Sequence, residues 1–176
     1  MAFVAYMYIE DHDQKKQFKG FTGEEDKTFD GTSVKELSRV QVVDHGIRIP
    51  TDIQTGEATG GMNHEPFRVT INMDRVVPHL YKCMTRNVRV NVRIHFFRSG
   101  QGVRASGKSD PLFSNWYTVK LEDARIVEMK TRKTLAMEAD SNIPDFLDIG
   151  FSYYKIIWQD HESKVESEWS WAQKGA

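Results

Sequence analysis

The side chains here that could hold a metal or move a proton are six histidines, one cysteine and 25 acidic residues. The histidines are His12, His45, His64, His79, His95 and His161. None stands in a His-Glu-x-x-His arrangement or a close His/Cys cluster, the spacings that zinc sites use. His45 and His64 flank a long loop and can meet in space; ordinary loop hydrogen bonding is the reading their spacing supports. Cys83 follows His79 by one helical turn. Catalytic Cys–His pairs unite distant segments and need a third, orienting group, so Cys83 reads as a small buried hydrophobe. Glu122 and Asp123 are neighbours on a strand and point to opposite faces. Gly60-Gly61 is not followed by the Gly-Lys-Ser/Thr of a phosphate-binding loop. The expectation is a protein that is not an enzyme and carries no cofactor and no metal.

One basic face competes with that reading. Arg89, Arg93 and Arg98 lie near Phe96 and Phe97, and basic and aromatic side chains on a sheet can bind single-stranded nucleic acid. The chain as a whole has 24 basic and 25 acidic residues, a formal charge of −1, and lacks the net basic footprint of such proteins. Arg89 and Arg93 are therefore expected on a solvated surface or lining a lumen, with nucleic acid not expected as a partner. A stand-alone β-barrel binding module for nucleic acid or protein is the alternative to the reading developed below.

Period-two alternation positions these residues. Val88, Val90, Val92, Ile94 and Phe96 point one way and Arg89, Asn91, Arg93 and His95 the other, the pattern of a strand with one face in a core. Phe67, Val69, Ile71 and Met73 repeat it, as do Tyr117, Val119 and Leu121. Phe3, Ala5, Met7 and Ile9 open the chain on a strand whose other face, Val4, Tyr6 and Tyr8, is also apolar, so cover on both sides is expected. Further strands are predicted near 34–43, 124–130, 149–158 and 166–171. One helix is predicted from Pro78 to Arg86. Proline suits a first turn, Leu80, Cys83 and Met84 make an apolar stripe, and Asn87 can take the left-handed conformation that ends a helix. The fold class is mainly β: two antiparallel sheets forming a closed or nearly closed barrel with one short flanking helix, in a single domain over 1–176. A lone cysteine excludes a disulfide framework. The alternating start reads as a strand rather than a signal peptide, and no apolar run is long enough for a membrane helix. Synthesis in the cytoplasm, without membrane insertion, is expected.

The loop from about 45 to 66 is the exception to this economy. A connection of that length without regular structure is uncommon in a compact domain and is usually functional or disordered. It carries Ile47, Ile49, Ile53 and Met62, apolar residues that need a surface to bury against, and a neighbouring copy of the chain is the simple candidate. Exposed strand edges point the same way, since they template pairing with another chain.

His45-Gly46-Ile47-Arg48-Ile49-Pro50-Thr51-Asp52, then Thr55-Gly56, then His64-Glu65-Pro66-Phe67 resembles the haemolysin co-regulated protein family of type VI secretion systems. The resemblance continues through Asp74, Pro78, Leu80 and Tyr81, through Lys120-Leu121-Glu122-Asp123-Ala124-Arg125-Ile126-Val127, and through Phe151-Ser152-Tyr153-Tyr154-Lys155-Ile156-Ile157-Trp158. It covers nearly the whole chain. Val77 stands where the family commonly has the serine that caps the helix, and the segment 99–115 is longer than usual. The resemblance implies a homohexameric ring, rings stacked into an expelled inner tube, a spike protein and sheath components as partners, small effector proteins as cargo, and secretion without a cleaved signal. On that reading the subunit interface comprises His45, Ile47, Ile49, Pro50, Thr51, Asp52, Ile53, Gly56, Gly60, His64 and Pro66.

Overall fold

The computed structural model describes residues 2–22, 28–29, 32–99, 114–133 and 144–173. Its elements are β1 (Ala2–Asp11), β2 (Thr28–Phe29), β3 (Thr32–Ser33), a 3₁₀ turn (Val34–Glu36), β4 (Ser38–Asp44), β5 (Ile47–Arg48), β6 (Asn63–His64), β7 (Phe67–Asn72), α1 (Val77–Thr85), β8 (Val90–Ser99), β9 (Ser114–Arg132), β10 (Phe146–Ser152), β11 (Lys155–Asp160), β12 (Val165–Ser170) and a closing 3₁₀ turn (Trp171–Gln173). Six strands close a barrel in the order β10-β7-β4-β1-β8-β9, with β9 returning to pair with β10, and β11 and β12 extend the sheet from β9. Every pairing is antiparallel. The expected closed barrel with one flanking helix is what forms, with the small ladders β2–β3 and β5–β6 beside it.

Alternation decides the interior. Met7, Ile9, Val69, Ile71, Val90, Val92, Ile94, Val119, Leu121, Leu147 and Ile149 are all buried in one cluster. A barrel this narrow is filled by its own side chains, so it is a packed core and not a pore. β9 serves both ends of the barrel, its first part pairing with β8 and β11 and its last part with β10. Asp123 sits at φ 47° where the β8–β9 register slips. That bulge changes which residues face inward, from Val119 and Leu121 to Ala124 and Ile126. The sequence shows the change of phase as two strands; they are one.

Three other expectations need correction. The strand near 34–43 begins only at Ser38, because Val34–Glu36 is a 3₁₀ turn. That turn lays Val34 and Leu37, with Tyr6 and Phe97, into a second buried cluster on the outside of the barrel. It is the second cover that the doubly apolar β1 demanded. The strand near 149–158 is two strands, β10 and β11, separated by a bend at 153–154. The helical stripe is Val77, Leu80 and Cys83, whereas Met84 is 36% exposed. Asn87 does take the left-handed conformation, at φ 51°.

The helix has no hydroxyl cap, and Asp74 replaces it. Its carboxylate accepts the Val76 N–H at 2.8 Å, the Ser38 hydroxyl at 2.8 Å and the Phe21 N–H at 3.0 Å. One side chain thus ties together the start of α1, the start of β4 and the 20–21 segment. Gly20 lies so close to Leu37, Ser38 and Asp74 that a β-carbon there would collide with backbone.

Candidate functional site

The 45–66 segment is not an unstructured loop. Ile47 pairs with His64 and Arg48 with Asn63, and farther out Thr51 bridges to Ala58. It is a long hairpin, held by Glu65 N–H to Gly46 O at 3.0 Å, Thr59 N–H to Pro50 O at 2.9 Å and Asp52 N–H to Glu57 O at 2.8 Å. Sequence patterning missed the ladder because neither strand alternates against a core.

The tip is a turn built by Asp52. Its carboxylate accepts the Gln54 N–H at 2.7 Å and the Thr55 N–H at 3.0 Å, the self-capping geometry for which Asp is favoured in turns. These donors, Thr55 first, hold the carboxyl below the ordinary carboxylate range. Gly56, at φ 72°, supplies the left-handed residue that returns the chain. A β-carbon at Gly60 would meet the Pro50 ring at ordinary van der Waals distance. Every residue from 47 to 61 is exposed in the single chain. Ile49 is 49% exposed and Ile53 101%. Ordered backbone and bare isoleucines are the combination that a docking element requires, because little conformational entropy remains to be lost on contact.

The base of the hairpin is locked by residues from three elements. The Tyr153 hydroxyl, in the bend between β10 and β11, lies 2.7 Å from His45 Nε2 and 2.6 Å from His64 Nδ1. The two histidines do meet, with ring centroids 6.1 Å apart. His64 stacks on Trp169 at 3.7 Å, Trp169 meets Trp171 edge-on at 5.0 Å, and the Trp171 indole N–H donates to Tyr153 O at 3.0 Å. The protons can be assigned from the far end. His64 Nε2 faces the Met62 sulfur at 3.1 Å, and a thioether only accepts. Nε2 therefore carries the hydrogen, Nδ1 is bare and receives the Tyr153 O–H, and the tyrosine oxygen accepts His45 Nε2–H. Burial keeps the Tyr153 phenol protonated far above its usual range. Burial first, and the neighbouring His64 second, push the His45 pKa down, against the opposing pull of Asp44 and Glu65.

A proton on His45 places charge in a half-buried site beside His64, and burial and that neighbour both oppose it. A histidine whose pKa falls on folding binds fewer protons in the native state, so its contribution to stability is complete above the unfolded value of 6.5. It is lost as the pH falls through the window beneath that value. Urea unfolding at about pH 7.5 and about pH 5 should therefore show a stability drop that is smaller in His45→Gln. An unchanged drop in that variant would place the pH sensitivity elsewhere. Tyr153→Phe should cost about 1–3 kcal/mol at neutral pH, since it leaves two half-buried ring nitrogens without their shared partner. A loss below about 0.5 kcal/mol would show the hydroxyl to be dispensable.

The remaining sequence candidates are placed apart. Pro66 and Gly46 flank the locked base, Gly46 so near Glu65 that a β-carbon would touch its carboxylate. Arg89 lies just ahead of β8 and is paired with Asp13 and Asp123. Arg93 lays its guanidinium over the Tyr8 ring at 5.0 Å. The face of β8 expected in water is partly covered: Asn91 and His95 are buried. Asn91 donates to Glu10 at 3.1 Å, and His95 lies 3.2 Å from the Thr118 hydroxyl. The segment 100–113 lies outside the described residues. Among the described residues no three His, Cys, Asp or Glu side chains converge as metal ligands, and no helix is long and apolar enough to cross a membrane.

Comparison with known proteins agrees with the architecture. A family model described as type VI secretion system effector, Hcp, matches residues 6–159. The major exported protein of Pseudomonas aeruginosa is 30% identical over 134 residues, 75% of this chain and 73% of that protein. A crystal structure of an Hcp protein superposes with a TM-score of 0.76 at 25% identity, over 96% of this chain and 99% of the other. The Hcp1 protein of E. coli shares the fold, with a TM-score of 0.71 at 22% identity over 97% and 99% of the two chains. With a model match across most of its length and a relative at that identity, the chain belongs to the Hcp family of type VI secretion system proteins.

Proposed function

We propose that this protein is the tube subunit of a bacterial type VI secretion system. Six copies close into a ring, rings stack into the inner tube, and the tube is expelled by its sheath with a spike at its tip. The exposed hairpin carries this reading: paired from base to turn, with Ile47, Ile49 and Ile53 exposed and no apolar surface among the described residues covering them. A head-to-tail contact of this kind closes into a ring when the rotation permits. Since the barrel interior is filled, cargo travels in a channel between copies rather than through one. Export proceeds through the apparatus, and the role is structural rather than enzymatic. The pairing of Arg89 with two carboxylates and the covering of β8 speak against a free nucleic-acid face.

The test is the native mass of the purified chain by light scattering, followed by negative-stain imaging. The expected result is a six-membered ring with an open centre. A monomer at high micromolar concentration would overturn the proposal.

A further inference from the structure

A cleft of about 610 Å³ lies away from the hairpin, between α1 and the 11–19 turn. Its walls carry Lys16, Lys19, Arg75, His79, Lys82 and Arg86, against a single acidic residue, Asp11. In a chain of net charge −1 this is a marked concentration of positive charge. Asp11 is occupied, its carboxylate accepting the Asp13 and Gln14 N–H groups at 2.9 and 2.8 Å. Lys19 is neutralised by Glu36 at 2.6 Å, and Arg75 donates to Gly20 O at 2.7 Å. Lys16, Lys82 and Arg86 have no carboxylate partner among the described residues, and all three are exposed.

Their arrangement is not explained by helix stability alone. The macrodipole favours Lys82 and Arg86 at the end of α1, but not Lys16 on the opposite wall or Arg75 and His79 at the other end of the helix. His79, Lys82 and Arg86 recur at helical spacing and face the turn. From His79 to Arg86 the helix rises about 10 Å, the reach of a chain of two or three phosphates. The cleft floor is apolar, made of Phe18, Cys83 and Val88, with Phe18 stacked on His79 at 5.7 Å between centroids. A low-dielectric floor strengthens the attraction of the cations above it.

We propose that this cleft binds a compact polyphosphate, free or carried by a nucleotide, held by Lys16, Lys82 and Arg86. A phosphate chain concentrates several charges within the short length of helix that carries Lys82 and Arg86, and it fits a cleft of this volume. An extended acidic peptide would run beyond it.

The experiment is calorimetric titration of the full chain, in its native assembly state, with inorganic triphosphate at low and at near-physiological salt. Binding is expected at low salt and weaker as salt rises. The exposed charge swap Lys82→Glu/Arg86→Glu should weaken it by about tenfold or more. The swap Arg125→Glu/Lys130→Glu, equal in charge and exposed on β9, should leave it within about twofold. Lys16→Glu tests the opposite wall should the helix variant fail to fold. ATP in place of triphosphate separates the sources: equal affinity assigns the phosphate chain alone, and tighter binding assigns a nucleotide. No heat of binding at low salt, equal weakening by the two swaps, or tighter binding of a glutamate hexapeptide would each overturn the proposal.

Discussion

Replacing Ile49 and Ile53 with aspartate together should abolish the assembled particle while leaving the fold intact. Both side chains are largely bare in the single chain, Ile53 completely so. Exposed substitutions of this kind change monomer stability by no more than about 0.5 kcal/mol, which keeps the thermal midpoint within about 2 °C. In a contact the arithmetic is different. Burying an isoleucine contributes roughly 1.5–3 kcal/mol, and an unpaired carboxylate forced into the same place adds a desolvation cost. Two such changes per contact should weaken each contact by about a hundredfold or more. Sizing chromatography with light scattering should show a monomer whose circular dichroism matches the parent. An unchanged particle would remove the hairpin from the interface. An unfolded variant would mean that the isoleucines serve the monomer after all.

Asp74→Ala should be the most damaging single polar substitution. Three donors on three segments lose one acceptor: the Val76 N–H, the Ser38 hydroxyl and the Phe21 N–H. Hydrogen bonds to a charged acceptor contribute about 1.5–3 kcal/mol each and do not add fully. A loss of about 3 kcal/mol is expected, which for a chain of this size lowers the midpoint by about 6–12 °C. Asp74→Asn keeps one acceptor oxygen and should fall between parent and alanine variant. A midpoint within about 2 °C of the parent for Asp74→Ala would show that other groups or water satisfy those donors.

The barrel was legible wherever one face met a core and the other met water. Val90, Val92 and Ile94 gave their strand directly, and so did Val69 and Ile71. Legibility failed where something lay on the second face or where the register slipped. Residues 149–158 are apolar almost throughout, so the bend at 153–154 left no break in pattern. Asp123 shifted the inward parity within one strand and divided it in two on paper. The 3₁₀ turn at Val34–Glu36 looked like strand because Val34 and Leu37 are buried on the outside of the barrel.

The site divided in the same way. The motif around His45-Gly46-Ile47 and its exposed isoleucines drew attention to the hairpin from residue types alone. That His45 and His64 flank the loop suggested their meeting. Tyr153, the group between them, could not be found this way, since it lies nearly ninety positions beyond His64 in the chain. Only closure of the barrel brings it there. Trp169 and Trp171 are remote for the same reason. The basic cleft was hidden because its two walls, the 11–19 turn and α1, are separate in sequence and unremarkable singly.

The pairing of β1 with β8 carries a consequence for synthesis. β1 leaves the ribosome ahead of the other strands, apolar on both faces, and its long partner is Val90–Ser99. Until that strand emerges, β1 has the three-residue ladder with β4 and the bridge from Glu10 to Gln17. The ring of strands stays open until Phe146–Ser152 arrives to join β7 to β9. Such distant pairings fold slowly and leave edges unguarded meanwhile. The 47–64 hairpin pairs locally, yet the groups that lock its base, Tyr153 and Trp169, emerge only near the end of the strand sequence. The nascent chain thus displays the bare isoleucines of the hairpin before that lock exists, and a holding chaperone is most useful in the interval.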